Sequence, residues 1–122
     1  ATGIHDGHTG KGSVPVSQAM RAFNALADEK DRIAEETMNY IDENEKVPQA
    51  ELFTGHDPFY SGDRRAYLKR TSGNAQVTIF EGGHGGISEA GFYWLARQRR
   101  GVKADWTLPG GAGDAGYSES AK

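Results

Sequence analysis

Val77-Thr78-Ile79-Phe80-Glu81-Gly82-Gly83-His84 joins a short apolar run to a glycine-rich turn that carries one histidine. The run is too short for a typical helix and holds two β-branched apolar residues, which predicts a buried strand over residues 76–80. A strand that ends this way presents an imidazole at the rim of an α/β sheet. Near the start of the chain, Gly3-Ile4-His5-Asp6-Gly7-His8 sets an aspartate in similar company. If the two loops leave neighbouring strands, they bring an acid and a base together. A lone strand leaves two rows of backbone donors and acceptors to be satisfied. The expected neighbour of Val77 to Phe80 is therefore a second copy of this chain, a separate chain, or a strand without a clear sequence signature.

Helical patterns flank these loops. Ser13 is the expected N-cap of a first helix running to about Asp28, with Val16, Met20, Phe23 and Ala27 on its apolar stripe. A second, highly charged helix is expected over residues 31–44, with Ile33, Thr37, Tyr40 and Ile41 on one face, and Val47-Pro48 ends it. Residues 52–62 read as irregular and residues 63–70 as a short helix. Ser72-Gly73-Asn74 then turns into the strand. A last helix starts at Ser88 and runs to about Arg100, packing through Ile87, Gly91, Trp94 and Leu95. The pattern predicts one α/β unit over residues 1–108 and a flexible glycine-rich tail over 109–122.

The 122 residues carry a net charge of −3, with 17 glycines and no cysteine. An acidic balance argues against a nucleic-acid partner, since such domains are usually strongly basic. The lack of cysteine excludes disulfides, thiolate metal sites and a cysteine nucleophile. No apolar run approaches the roughly 20 residues that span a bilayer. His5, Asp6 and His8, with His56-Asp57, offer imidazole and carboxylate in spacings that match no established ligand motif, so neither metal nor cofactor is expected. Gly10-Lys11-Gly12-Ser13 breaks the phosphate-loop pattern, because Gly12 separates the lysine from the hydroxyl residue. Arg64, Arg65, Lys69 and Arg70 read as a solvated helix face.

Three stretches together resemble α/β-hydrolase-fold serine hydrolases, most closely the prolyl-oligopeptidase-like esterases and peptidases. Gly3 to Gly10, Ser13-Val14-Pro15-Val16-Ser17-Gln18 and Ala22-Phe23-Asn24 are similar to the acid loop and following helix. Thr78 to His84 is similar to the histidine strand and loop, and Ser88 to Arg100 to the closing helix. The resemblance spans roughly residues 3–100 and corresponds to the C-terminal third of such an enzyme. It implies a partial α/β-hydrolase-like fold with the N-terminal sheet and nucleophile elbow absent. It also implies Asp6 as the triad acid and His84 as the triad base, in the family's chain order.

The departure is the nucleophile. No Gly-x-Ser-x-Gly occurs, and Ser13, Ser17, Ser61 and Ser72 all lie outside such an elbow. The expected reaction is hydrolysis of a small ester or peptide substrate, with the serine and oxyanion hole supplied from outside this chain. That points to a homo-oligomer or a second chain supplying the rest of the sheet. The alternatives are a non-catalytic oligomeric interaction module derived from that fold, and a small hydrolase with an unconventional serine. An aspartate before glycine is also a common turn former, and a loop histidine often makes only a structural hydrogen bond.

Overall fold

The strand expected at the histidine loop is present as β3 (Ala75–Phe80) in a computed structural model that describes residues 1–111. Its side chains alternate across the sheet, with Val77 and Ile79 entering one apolar cluster and Phe80 another. Both neighbours of β3 belong to this chain. On one side β2 (Ala66–Ser72) runs antiparallel, and on the other β1 (Thr2–Gly3) runs parallel, giving the order β1-β3-β2. The need for another molecule beside Val77 to Phe80 is removed to that extent.

The strand β2 corrects the short helix expected over residues 63–70, of which only a 3-10 turn at Gly62–Arg64 is helical. Arg64 and Arg65 are exposed as expected, but Lys69 and Arg70 do not belong to a solvated face. Lys69 is 6% exposed and pairs with Asp57, which is 1% exposed, while Arg70 pairs with Glu51 and reaches the Arg32 carbonyl at 3.3 Å. Arg65 lies over the Tyr67 ring, and Arg64 approaches Glu89. Loop carboxylates neutralise charges that the pattern assigned to water. The hairpin to β3 turns through Gly73-Asn74, where Gly73 takes φ +56° as a two-residue turn of suitable twist requires.

On the Val77 and Ile79 face lie α1 (Ser17–Leu26) and α2 (Glu35–Asn44). Met20, Phe23, Ile33, Met38 and Ile41 meet Leu68, Val77 and Ile79 there. The stripe of α1 is as expected, but its start is not. Ser13 hydrogen-bonds back to the Gly10 carbonyl, and the Ser17 N–H is received instead by Asp42 of α2 at 2.9 Å. In α2 the buried face runs through Met38 and Ile41, while Tyr40 is exposed; a separate 3-10 turn, Glu29–Asp31, precedes it.

The opposite face gathers Phe53, Tyr60, Ala66 and Phe80 beneath α3 (Ser88–Arg97). This helix is shallowly seated. Ile87 and Ala90 touch the cluster, Tyr93 meets Phe59 and Trp94 stacks on Trp106, whereas Leu95 and Phe92 are exposed. Leu95 thus lies off the packing side expected for it. The chain then returns to the hairpin, with Trp106 Nε1 donating to the Gly73 carbonyl at 2.8 Å. Pro109–Gly111 forms a 3-10 turn, and the rest of the tail expected to be flexible lies outside the described residues. The class is α/β with a small three-stranded sheet. Among the described residues no helix is long and apolar enough to cross a membrane.

Candidate functional site

Parallel pairing of β1 with β3 decides where the two loops go. Thr2 lies opposite Ile79 and Gly3 opposite Phe80, so both strands run out at the same edge of the sheet. Carboxyl ends of parallel strands are where open α/β sheets place their ligand sites. The loops then zip together, with Ile4 N–H on the Phe80 carbonyl at 2.8 Å and His5 N–H on the Gly82 carbonyl at 3.0 Å. Gly3 permits this approach, because a Cβ there would sit 2.2 Å from the Gly83 carbonyl oxygen. Gly7 turns the acid loop at φ +92°.

Asp6 and His84 are brought together across this seam. The Asp6 side chain is buried and His84 Nδ1 lies 3.1 Å from its Oδ2. Asp6 Oδ1 accepts the N–H of Gly7 at 3.0 Å and of Val14 at 2.9 Å. Burial pushes the carboxyl upward, but the Val14, His84 and Gly7 contacts together hold it below its ordinary value. A carboxylate facing Nδ1 selects the tautomer with the proton on that nitrogen. Nε2 then keeps its lone pair on the far side of a ring whose side chain is 60% exposed. Such a nitrogen is able to take up a proton from a hydroxyl brought to it.

Among the described residues no serine hydrogen-bonds to His84. Ser72 is buried and donates to Asp31 at 2.7 Å while accepting the Asp28 N–H. Ser17 is buried at the start of α1, Ser13 is held by Gly10, and Ser61 precedes the turn at Gly62–Arg64. Among the described residues the hydrogen bonds of the His84 ring go to Asp6 alone.

The metal-like residues do not assemble either. His8 is spent on the Asp42 carbonyl, and among the described residues no group of three or more His, Cys, Asp or Glu side chains is placed to hold an ion. Asp57 belongs to the ion pair with Lys69, and His56 is exposed. A separate hollow of about 220 Å³ lies under α3, lined by Tyr60, Lys69, Thr78, Trp94 and Trp106. Trp94 Nε1 is a buried donor without a partner among the described residues. In the same wall, burial and then the Asp57 charge push the Tyr60 hydroxyl up to about 12.

Beside Asp6 stands an arrangement that spacing did not reveal. His5 Nδ1 lies 2.8 Å from Glu45 and its Nε2 lies 2.8 Å from Glu81, and Tyr67 donates to Glu81 at 2.9 Å. His5 drew notice only for its chemistry, and Glu45 is 40 residues away with no local signal. No protein-family model, curated protein or solved structure matches this chain.

Proposed function

We propose that this chain carries the acid–base part of a serine-hydrolase-like site that cleaves a carboxylic ester or peptide bond. The observation that supports the reading is the buried Asp6 carboxylate on Nδ1 of a histidine whose Nε2 remains accessible. His84 Nε2 takes the proton of the attacking hydroxyl as that oxygen bonds to the substrate carbonyl carbon. It then passes the same proton to the departing alcohol or amine. A water molecule repeats the exchange to release the acid and restore the hydroxyl. Asp6 keeps its negative charge throughout, holding the tautomer and balancing the imidazolium.

The attacking serine and the oxyanion donors come from polypeptide outside the described residues, either a second copy or a second chain. The two-residue β1 pairs with only the last part of β3. On that side the ladder covers Ile79 and Phe80, while residues 75–78 have no strand partner among the described residues. The exposed Leu26, Phe92 and Leu95 favour a second reading, an oligomeric interaction module without catalysis.

Two measurements test the proposal. Long-range proton–nitrogen NMR should find neutral His84 carrying its proton on Nδ1, with that preference lost in Asp6→Ala. A proton on Nε2 in the unaltered protein would sink the general-base role. If a second, different chain supplies the serine, a fluorophosphonate probe should leave this purified chain unlabelled and ester hydrolysis near background. Stoichiometric labelling of any serine would move the nucleophile back into this chain.

A further inference from the structure

We infer that His5 is a positioning residue, a charged clamp between Glu45 and Glu81 that locks the Asp6 loop against the His84 loop. The reasoning starts from donor counts. A carboxylate only accepts, and a neutral imidazole offers one N–H. Both ring nitrogens of His5 face carboxylate oxygens at 2.8 Å, so both bonds are made by the imidazolium. In the neutral ring one lone pair points at a carboxylate lone pair, and that side of the bridge is lost.

The bridge spans three parts of the fold. Glu45 follows α2, Glu81 follows β3 and His5 follows β1. Glu45 is also the one non-glycine among the described residues at positive φ, +53° at the helix C-cap. Glycine fits that conformation at lower cost. A glutamate there is consistent with a side chain that has work to do, and its carboxylate lies on His5. On the other flank Tyr67 of β2 donates to the second oxygen of Glu81, and Arg65 sits over the Tyr67 ring. Burial, then the bond to Glu81, raises the Tyr67 hydroxyl, so it remains a donor. Lys46 lines the adjoining hollow with Glu45 and Glu81, and Asp6 and His8 are the titratable groups of His5's own loop.

The bond to Glu45 raises the His5 ring above its ordinary value of 6.5; burial opposes this, and Glu81 adds to the rise. A raised histidine contributes fully below its unfolded value and loses its contribution as pH climbs through its folded value. The clamp is thus shut below about pH 6.5 and opens as pH rises through the raised folded value. Its importance for catalysis rests on the acid–base role proposed for Asp6 and His84. The clamp itself does not.

Ring NMR across pH on the full chain tests it, together with the amide signals of His5, Gly82 and Gly83. The unaltered protein should show His5 titrating above 6.5, with the loop amides stepping at the same midpoint. Glu45→Gln and Glu81→Gln should each shift that midpoint down, and the double variant further. In His5→Gln the step in the Gly82 and Gly83 amides should vanish. His5→Arg, which stays charged and can donate to both carboxylates, should lose the step while keeping the amides at their low-pH positions. A His5 midpoint unmoved by either glutamine, or a step that survives without His5, would overturn the clamp. If His5→Gln does not fold, His5→Arg and the two glutamate variants decide alone. A raised His5 midpoint that falls in the glutamine variants, found together with the His84 proton on Nε2, would retain the clamp and reject the acid–base role.

Discussion

Gly3 shows how much of the site hangs on one missing methyl group. A Cβ at this position meets the backbone of Gly82 and Gly83 at 2.2 to 2.3 Å, far inside contact distance, and neither neighbour has a side chain to swing away. Gly3→Ala must therefore pry the acid loop from the histidine loop. The expected cost is about 1–3 kcal/mol, as for other overpacked positions. Hydrogen exchange should register it as faster loss of the Ile4 and His5 amide protons, and equal protection in the variant would contradict the close approach. Asp6 titrates against the same seam. Its carboxyl is held low, so its contribution is in place above the ordinary value of 3.8 and is lost as pH falls through the lower folded value. Because His84 is one of the groups holding it down, His84→Ala should raise the Asp6 midpoint in carbon-detected carboxyl titrations. With His5 failing as pH rises through its own raised value, the seam is tightest between the two.

Among the elements, β2 carries the largest electrostatic stake. Lys69 and Asp57 are both buried and lean on each other, with the Tyr60 ring 5.4 Å from the ammonium. Removing one partner strands the other charge in a poorly solvated place, which typically costs about 3–5 kcal/mol. Lys69→Ala and Asp57→Ala should each lower the unfolding free energy measured by urea titration by that order. Lys69→Met with Asp57→Leu should cost far less than the two alanines summed, because an apolar pair leaves no orphaned charge. Additive losses would mean that the pair is not coupled. The helix α3 behaves differently, for it has no fully buried residue and rests on Ile87, Ala90 and the Trp94–Trp106 stack. Local opening there should precede global unfolding.

For the molecule as a whole, the exposed Phe92, Leu95 and Leu26 are what an assembling partner would cover. The second-copy arrangement predicts self-association in purified material. Sedimentation at micromolar concentration should give a mass above the 13.2 kDa of one chain. A cooperative monomer at every concentration would remove the second-copy arrangement.

Local patterns were enough where the physics is local. The alternation of Val77 and Ile79 and the stripe Val16, Met20, Phe23 mark one strand and one helix, because apolar burial repeats with the period of the backbone itself. The glycine loops around Asp6 and His84 likewise mark two residues able to approach one another. What spacing left open was decided by neighbours distant along the chain. The strand β2 read as a charged helix because nothing nearby in sequence says that Asp57 and Glu51, 12 and 19 residues away, will neutralise Lys69 and Arg70. Asp42, not Ser13, receives the first amide of α1, across 25 residues. The His5 bridge joins positions 40 and 76 residues apart. A buried charge or an unpaired amide is satisfied by whichever partner packing brings within about 3 Å, and one-dimensional periodicity carries no record of that choice.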